Sequence, residues 1–294
     1  PRRGLATAAL SAAQRRRVLE PAFWRARAAR LEAEHWDAGD DDGPPPVRAL
    51  CRDPQAALLA EALLPEAERE ALGARADAEE QMLLAGVRAA FSDRFVGDAV
   101  GRRMRQVVLL GSGMDSHAFR LDVPPQLTFT EVDVGVVHDA KAAVLEAAGQ
   151  RPRCRVNRVA VDVSGGGDDT KSKLCQELEP LAATSRRAGM LFILDAGFSN
   201  WASSAQLDIL GAAASVAPDG SVIVGPAPAS DAAGLLADAG FPRTSFVNHL
   251  QLSKIFSIAV PEGIAMMVAM RGPPERMAPP TPGRGAGGGR EVDF

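Results

Sequence analysis

Tyrosine is absent from the 294 residues, so no phenolic hydroxyl can act as acid, base or anchor. Lysine is nearly absent: of 33 basic residues, only Lys141, Lys171, Lys173 and Lys254 are lysine. The rest are arginine, a bias that a GC-rich genome produces. Cysteine is scarce, and Cys51, Cys154 and Cys175 form no CxxC pair. The four histidines show no HxxxH spacing. Both facts argue against a metal cluster or a disulfide framework, so no metal is expected. Long hydrophobic runs are missing too. The longest stretch without a charged residue is 196–207, far short of the ~20 residues a membrane helix needs. Net charge is −4, which offers no basic field for nucleic acid. What remains is ordinary globular material, 46% hydrophobic and 24% charged, long enough for one large domain or two small ones.

The ends have their own character. Residue 1 is proline, which suggests a processed, trimmed or incomplete chain. Residues 1–19 carry Arg2, Arg3, Arg15, Arg16 and Arg17 and no acid, a composition that fits a transit-peptide remnant or the polar face of a helix. Leu5, Ala8, Ala9, Ala12, Ala13 and Leu19 fall near helical spacing, and the helix is preferred. The expected location is intracellular: the cytoplasm, or a plastid or mitochondrion after transit-peptide removal. Residues 272–294 are Gly, Pro and Arg with little apolar content, a composition that is disordered unless an assembly partner holds it.

Between the ends the pattern changes once. Residues 1–103 read as a helical preface, with helices over 5–34, 54–63, 66–72 and 77–100. On the last, Leu83, Val87, Phe91, Phe95 and Ala99 recur four apart. Residues 104–271 then alternate strand and helix. Strands are expected at 106–110, 127–133, 158–162, 190–194 and 221–224. Two more, near 244–250 and 263–270, have no long helix between them. The alternation predicts an α/β fold: a doubly wound, mostly parallel seven-stranded sheet, Rossmann-like, ending in an antiparallel hairpin.

One edge of that sheet gathers the chemistry. Val107-Val-Leu-Leu-Gly-Ser-Gly-Met-Asp115 is a strand running into a glycine turn and then a helix. Gly111 and Gly113 let the backbone turn tightly and approach a ligand. The third glycine of a dinucleotide fingerprint is missing, because Ser116 stands there, which disfavours a nicotinamide dehydrogenase. Asp133 closes the second strand 22 residues after Gly111, where an acid can accept bonds from two ribose hydroxyls. Glu131 shares its sheet face and is the backup. Asp162 and Asp195 are expected at the carboxyl ends of the third and fourth strands. Each position also has a plain reading as a turn residue, and His117, His138, His249, Trp24, Trp36 and the Met266–Met270 run read as structural.

These residues resemble the leucine carboxyl methyltransferase family, a branch of the class I S-adenosylmethionine-dependent methyltransferases. Arg105 to Leu121 is similar to the family's GxGxDxxxxRL motif. Thr130-Glu-Val-Asp133, Lys141, the Asp53-Pro54 segment and the helical Ala85-Gly-Val-Arg88 match further positions. The resemblance covers about residues 5–271. It implies a cofactor, S-adenosyl-L-methionine, lined by Arg88, Gly111, Gly113, Asp133, Asp162, Val163 and Asp195, with Arg88 on the cofactor carboxylate and Arg120 structural. It implies positioning rather than a catalytic acid or base, because a carboxylate acceptor needs neither.

Two departures stand out. Relatives carry Glu-Gly and a later Tyr where this chain has Asp195-Ala-Gly-Phe-Ser-Asn-Trp201. Relatives also carry a helical insertion after the fifth strand, where Val224 to Asp231 runs almost directly into the next helix. The expectation is an O-methyltransferase acting on a carboxyl group of a small molecule or protein C-terminus. The alternative is a methyltransferase-like subunit that has lost turnover and serves a larger, organellar assembly. With the insertion gone, residues of the preface near Trp24 to Trp36 would have to close the pocket beside Trp201.

Overall fold

A computed structural model describes residues 10–36, 50–194, 198, 200–228 and 232–272. The expectations placed on 1–9, on Asp195 and on the 273–294 tail lie outside the described residues. Among the described residues four helices come first: α1 (Ala12–Trp36), α2 (Pro54–Leu63), α3 (Glu66–Gly73) and α4 (Ala78–Gly101). Asp53 starts α2 by accepting the Ala56 N–H at 2.9 Å, with Pro54 at the first helical position, where a missing N–H costs nothing. Pro21 lies inside α1. It has no N–H for the carbonyl of Arg17, four residues earlier, so the helix loses one internal bond there.

The sheet follows: β1 (Gln106–Leu110), α5 (His117–Arg120), β2 (Thr128–Asp133), α6 (Gly135–Ala147), β3 (Arg155–Ala160), α7 (Asp168–Thr184), β4 (Leu191–Leu194), α8 (Ser203–Val216), β5 (Val222–Pro226), α9 (Ala232–Asp238), β6 (Arg243–Asn248), α10 (His249–Phe256) and β7 (Ala265–Met270). The strands lie in the order β3-β2-β1-β4-β5-β7-β6. All neighbouring pairs from β3 to β5 are parallel, and β7 is antiparallel to both β5 and β6. The fold class expected from the alternation is therefore present, a mostly parallel seven-stranded α/β sheet.

One boundary differs from the expectation, and two details add to it. β3 begins at Arg155 and ends at Ala160, so Asp162 lies two residues beyond it. β7 does not pair with β6 alone at the end of the sheet but inserts between β5 and β6. The connection between these last strands is a short helix: Asn248 accepts the Gln251 N–H while Gln251 accepts the Asn248 N–H, a reciprocal cap that starts α10.

Successive residues of the central strands feed opposite cores. Val107, Leu109 and Ile193 pack with the apolar faces of α1, α2, α4 and α6. Val108, Leu110, Phe192 and Leu194 pack with α7, α8 and α9. The helices preceding β1 thus share a core with the sheet. Val87, Phe91 and Ala99 of α4 are buried and Leu83 and Phe95 are partly so, as their four-residue spacing predicts. Among the described residues no helix is long and apolar enough to cross a membrane.

Candidate active site

The carboxyl ends of β1, β2 and β4 meet the first half of α1 and the middle of α4. β1 ends in a turn at Gly111 (φ +71°) and Gly113 (φ +45°), left-handed positions that glycine takes without strain. The N–H groups of Gly111 and Ser112 both donate to the Val132 carbonyl at 3.0 Å, folding the turn back over the end of β2. Asp133, buried at the tip of β2, accepts the Gly113 N–H at 2.8 Å and its neighbour Val134 N–H at 2.8 Å. The glycine turn and Asp133 are thus brought together, as the spacing of 22 residues suggests.

Two further side chains enter this corner. Arg17 of α1 places Nη2 2.7 Å from Asp133 Oδ1. The benzo edge of the Trp201 indole lies against the glycine turn: a Cβ on Gly111 would stand 2.6 Å from its ring. Buried Val163 closes the same contact, its methyl 3.8 Å from that Cβ position. Trp201 packs edge-on against Phe198, with ring centroids 5.3 Å apart. Gln206 Nε2 donates to the carbonyls of both Phe198 (3.1 Å) and Trp201 (3.0 Å), which fixes the backbone of this segment.

Beside Trp201 a cleft of ≈ 690 Å³ opens, walled by Arg16, Arg17, Trp24, Arg75, Arg88 and Trp201. Arg88 also lines a small neighbouring cavity of ≈ 40 Å³ with Arg25, His117 and Leu194, so it faces the carboxyl edge of the sheet. On the α1 side the described lining runs from Ala13 to Trp24, reaching the start of the Trp24–Trp36 segment expected from sequence. Asp162 is exposed, and its carboxylate accepts the N–H (3.0 Å) and hydroxyl (2.6 Å) of Ser164 in its own loop. Glu131, the backup acid, is spent on a buried ion pair, with Lys141 Nζ 2.7 Å from its Oε1.

A buried charge network braces the turn from behind. Arg25 bonds Asp53 Oδ2 at 3.0 Å and the Met114 carbonyl at 2.8 Å, and Ser116 donates to Asp53 Oδ1 at 2.7 Å. His117 sits between Asp115 and Asp93, and Arg120 pairs with Asp93 through both terminal nitrogens. Burial alone would lower the His117 imidazole, but the charge of Asp115 and its bonds to Asp115 and Asp93 raise it to about 9. Burial likewise works against the Asp115 carboxylate, and His117 overrides it, holding the group well below the usual range. His117 is thus a charged brace rather than a catalytic base. Burial pushes the Cys51 thiol up to about 12, so it is no nucleophile.

Of this architecture, sequence reading missed Arg17 and Arg25. Arg17 hides in an Arg15-Arg16-Arg17 run, and nothing local separates it from its neighbours.

Residues 19–183, more than half of the chain, match the leucine carboxyl methyltransferase family profile. A protein of Mycobacteroides abscessus, provisionally named an S-adenosyl-L-methionine-dependent methyltransferase, is 44% identical over 78 residues, 26% of each chain. A similarly named protein of Streptomyces avermitilis is 44% identical over 77 residues, 26% of this chain and 27% of that one. The matched stretch spans about a quarter of the length of these relatives. Among solved structures, an O-methyltransferase family protein from Burkholderia thailandensis shows a slight likeness: TM-score 0.39, 15% identity, 84% of this chain and 71% of that one.

Proposed function

Because the chain belongs to the leucine carboxyl methyltransferase family, we propose that it binds S-adenosylmethionine at the carboxyl edge of its sheet and methylates a carboxylate of a small molecule or a protein C-terminus. The observation that carries this reading is the bond joining Asp133 to the Gly111–Gly113 turn, directly behind Arg17 and Trp201, which line one cleft with Arg88. The cofactor supplies the electrophilic methyl group. Asp133 accepts bonds from ribose hydroxyls, and Arg88 forks onto a carboxylate as lysine cannot. A carboxylate is already nucleophilic, so no general base is required, and α1 supplies the cover that the short β5–α9 connection does not.

The residue types suit the cofactor, but their arrangement leaves it no room. Trp201 lies over Gly111, and Arg17 holds Asp133. That observation favours a second reading, a subunit without turnover whose own side chains fill the site. Titration calorimetry of the purified chain with S-adenosylmethionine and S-adenosylhomocysteine decides between them. Micromolar binding, followed by base-labile methyl label on a carboxylate peptide, supports the enzyme. No binding at millimolar ligand, by this chain or by its Arg17→Gln and Trp201→Leu variants, refutes it.

A further inference from the structure

We infer that Arg17 and Trp201 form a two-part latch that shuts the cofactor site, so that the site opens only when both side chains withdraw. The inference rests on the proposed reading that the Gly111–Asp133 corner holds S-adenosylmethionine. Each half of the latch covers one feature of the corner. The indole occupies the clearance that Gly111 creates; with 2.6 Å between its ring and a Cβ on Gly111, not even a methyl group fits. Arg17 occupies the Asp133 oxygen that a ribose hydroxyl would use, at 2.7 Å.

Both halves are built to move. The Trp201 Nε1–H is buried with no hydrogen-bond partner among the described residues, so the closed position leaves a donor unsatisfied. Its backbone is clamped by Gln206, which confines opening to rotation of the side chain. Arg17 lies just ahead of Pro21, where α1 lacks a backbone bond, while Arg25 pins the helix beyond that point to Asp53 and Met114. The turns carrying Arg17 can therefore pivot against a fixed stem. The cleft lined by Arg17 and Trp201 gives both side chains somewhere to go.

If the closed form dominates, apparent affinity is reduced by the open fraction, and weakening either half raises it. The experiment is S-adenosylhomocysteine titration of wild type, Arg17→Gln and Trp201→Leu, with Trp201→Ala as a second variant and circular dichroism to confirm folding. The latch predicts about tenfold tighter binding in each folded variant. It also predicts that, in a Trp24→Phe/Trp36→Phe chain, Trp201 emission shifts to the red as ligand is added, because the indole leaves its buried seat. Binding in the variants but not in wild type supports the latch most strongly. Wild-type binding that neither variant tightens, with no emission shift, overturns the latch and leaves the cofactor reading standing. No binding by any of the chains overturns the cofactor reading, and the latch with it.

Discussion

Removing the ammonium of Lys141 should strand a carboxylate in the core. Lys141 and Glu131 are both 1% exposed or less, with 2.7 Å between Nζ and Oε1. Breaking such a pair from one side costs about 3–5 kcal/mol, because the remaining charge has lost its hydration without compensation. Arg158 stands 3.9 Å from Glu131 Oε2 and is partly exposed, so its guanidinium can turn inward and soften the loss. The expected cost of Lys141→Met is therefore near the lower end, about 3 kcal/mol. For a chain of this size that is about 5 °C in melting temperature. Pairing it with Glu131→Leu removes the stranded charge and replaces the pair by apolar side chains of similar volume, so the double variant should recover at least half of the loss. Urea unfolding followed by far-ultraviolet circular dichroism gives all the free energies. A single-variant cost below about 1 kcal/mol, or a double variant no more stable than the single, would refute the reasoning.

Three further outcomes follow. Arg88→Lys should weaken S-adenosylhomocysteine binding in calorimetry, since lysine cannot make the two-pronged contact, and unchanged affinity removes Arg88 from the site. In an Arg17→Gln background, where the competing guanidinium is gone, Asp133→Ala should cost about 2–3 kcal/mol of ligand affinity, the scale of bonds to a charged group. The His117 imidazole is raised to about 9 in the folded chain against 6.5 when free, so its stabilising contribution is complete below pH 6.5 and is lost as pH rises towards 9. Melting temperature should fall across that window in wild type, and the fall should flatten in His117→Gln.

How much of this was legible in the sequence differs from element to element. β1 and β4 were easy to place because both faces of each strand are buried, which demands continuous apolar runs. β3 is an edge strand with exposed Arg155, Asn157 and Arg158, so its polar first half did not read as strand and its predicted position slid towards Asp162. The capping pair Asn248 and Gln251 was the available signal for α10, but eight residues give too little periodicity to notice. Asp133 and the glycine turn were legible because one short βαβ unit fixes their spacing. Arg17 reaches Asp133 across 116 residues of chain, and the Trp201 indole meets Gly111 only after β1 and β4 pair side by side. Contacts of that kind are set by tertiary packing and leave no local pattern.

The position of β7 also sets the order in which the molecule can be completed. β6 touches the sheet only through β7, although β7 comes later in the chain. During synthesis, the segment 243–248 has no strand to join until 265–270 has emerged, and until then the edge of β5 also stays open. Met266 and Met267 point into opposite cores, so this last strand seals both hydrophobic layers in one step. A chain interrupted before residue 265 would carry two unsatisfied strand edges and two open cores, the features that drive nascent proteins to associate with one another. Ribosome stalling or a nonsense mutation between β6 and β7 should therefore yield aggregate rather than a shortened soluble protein.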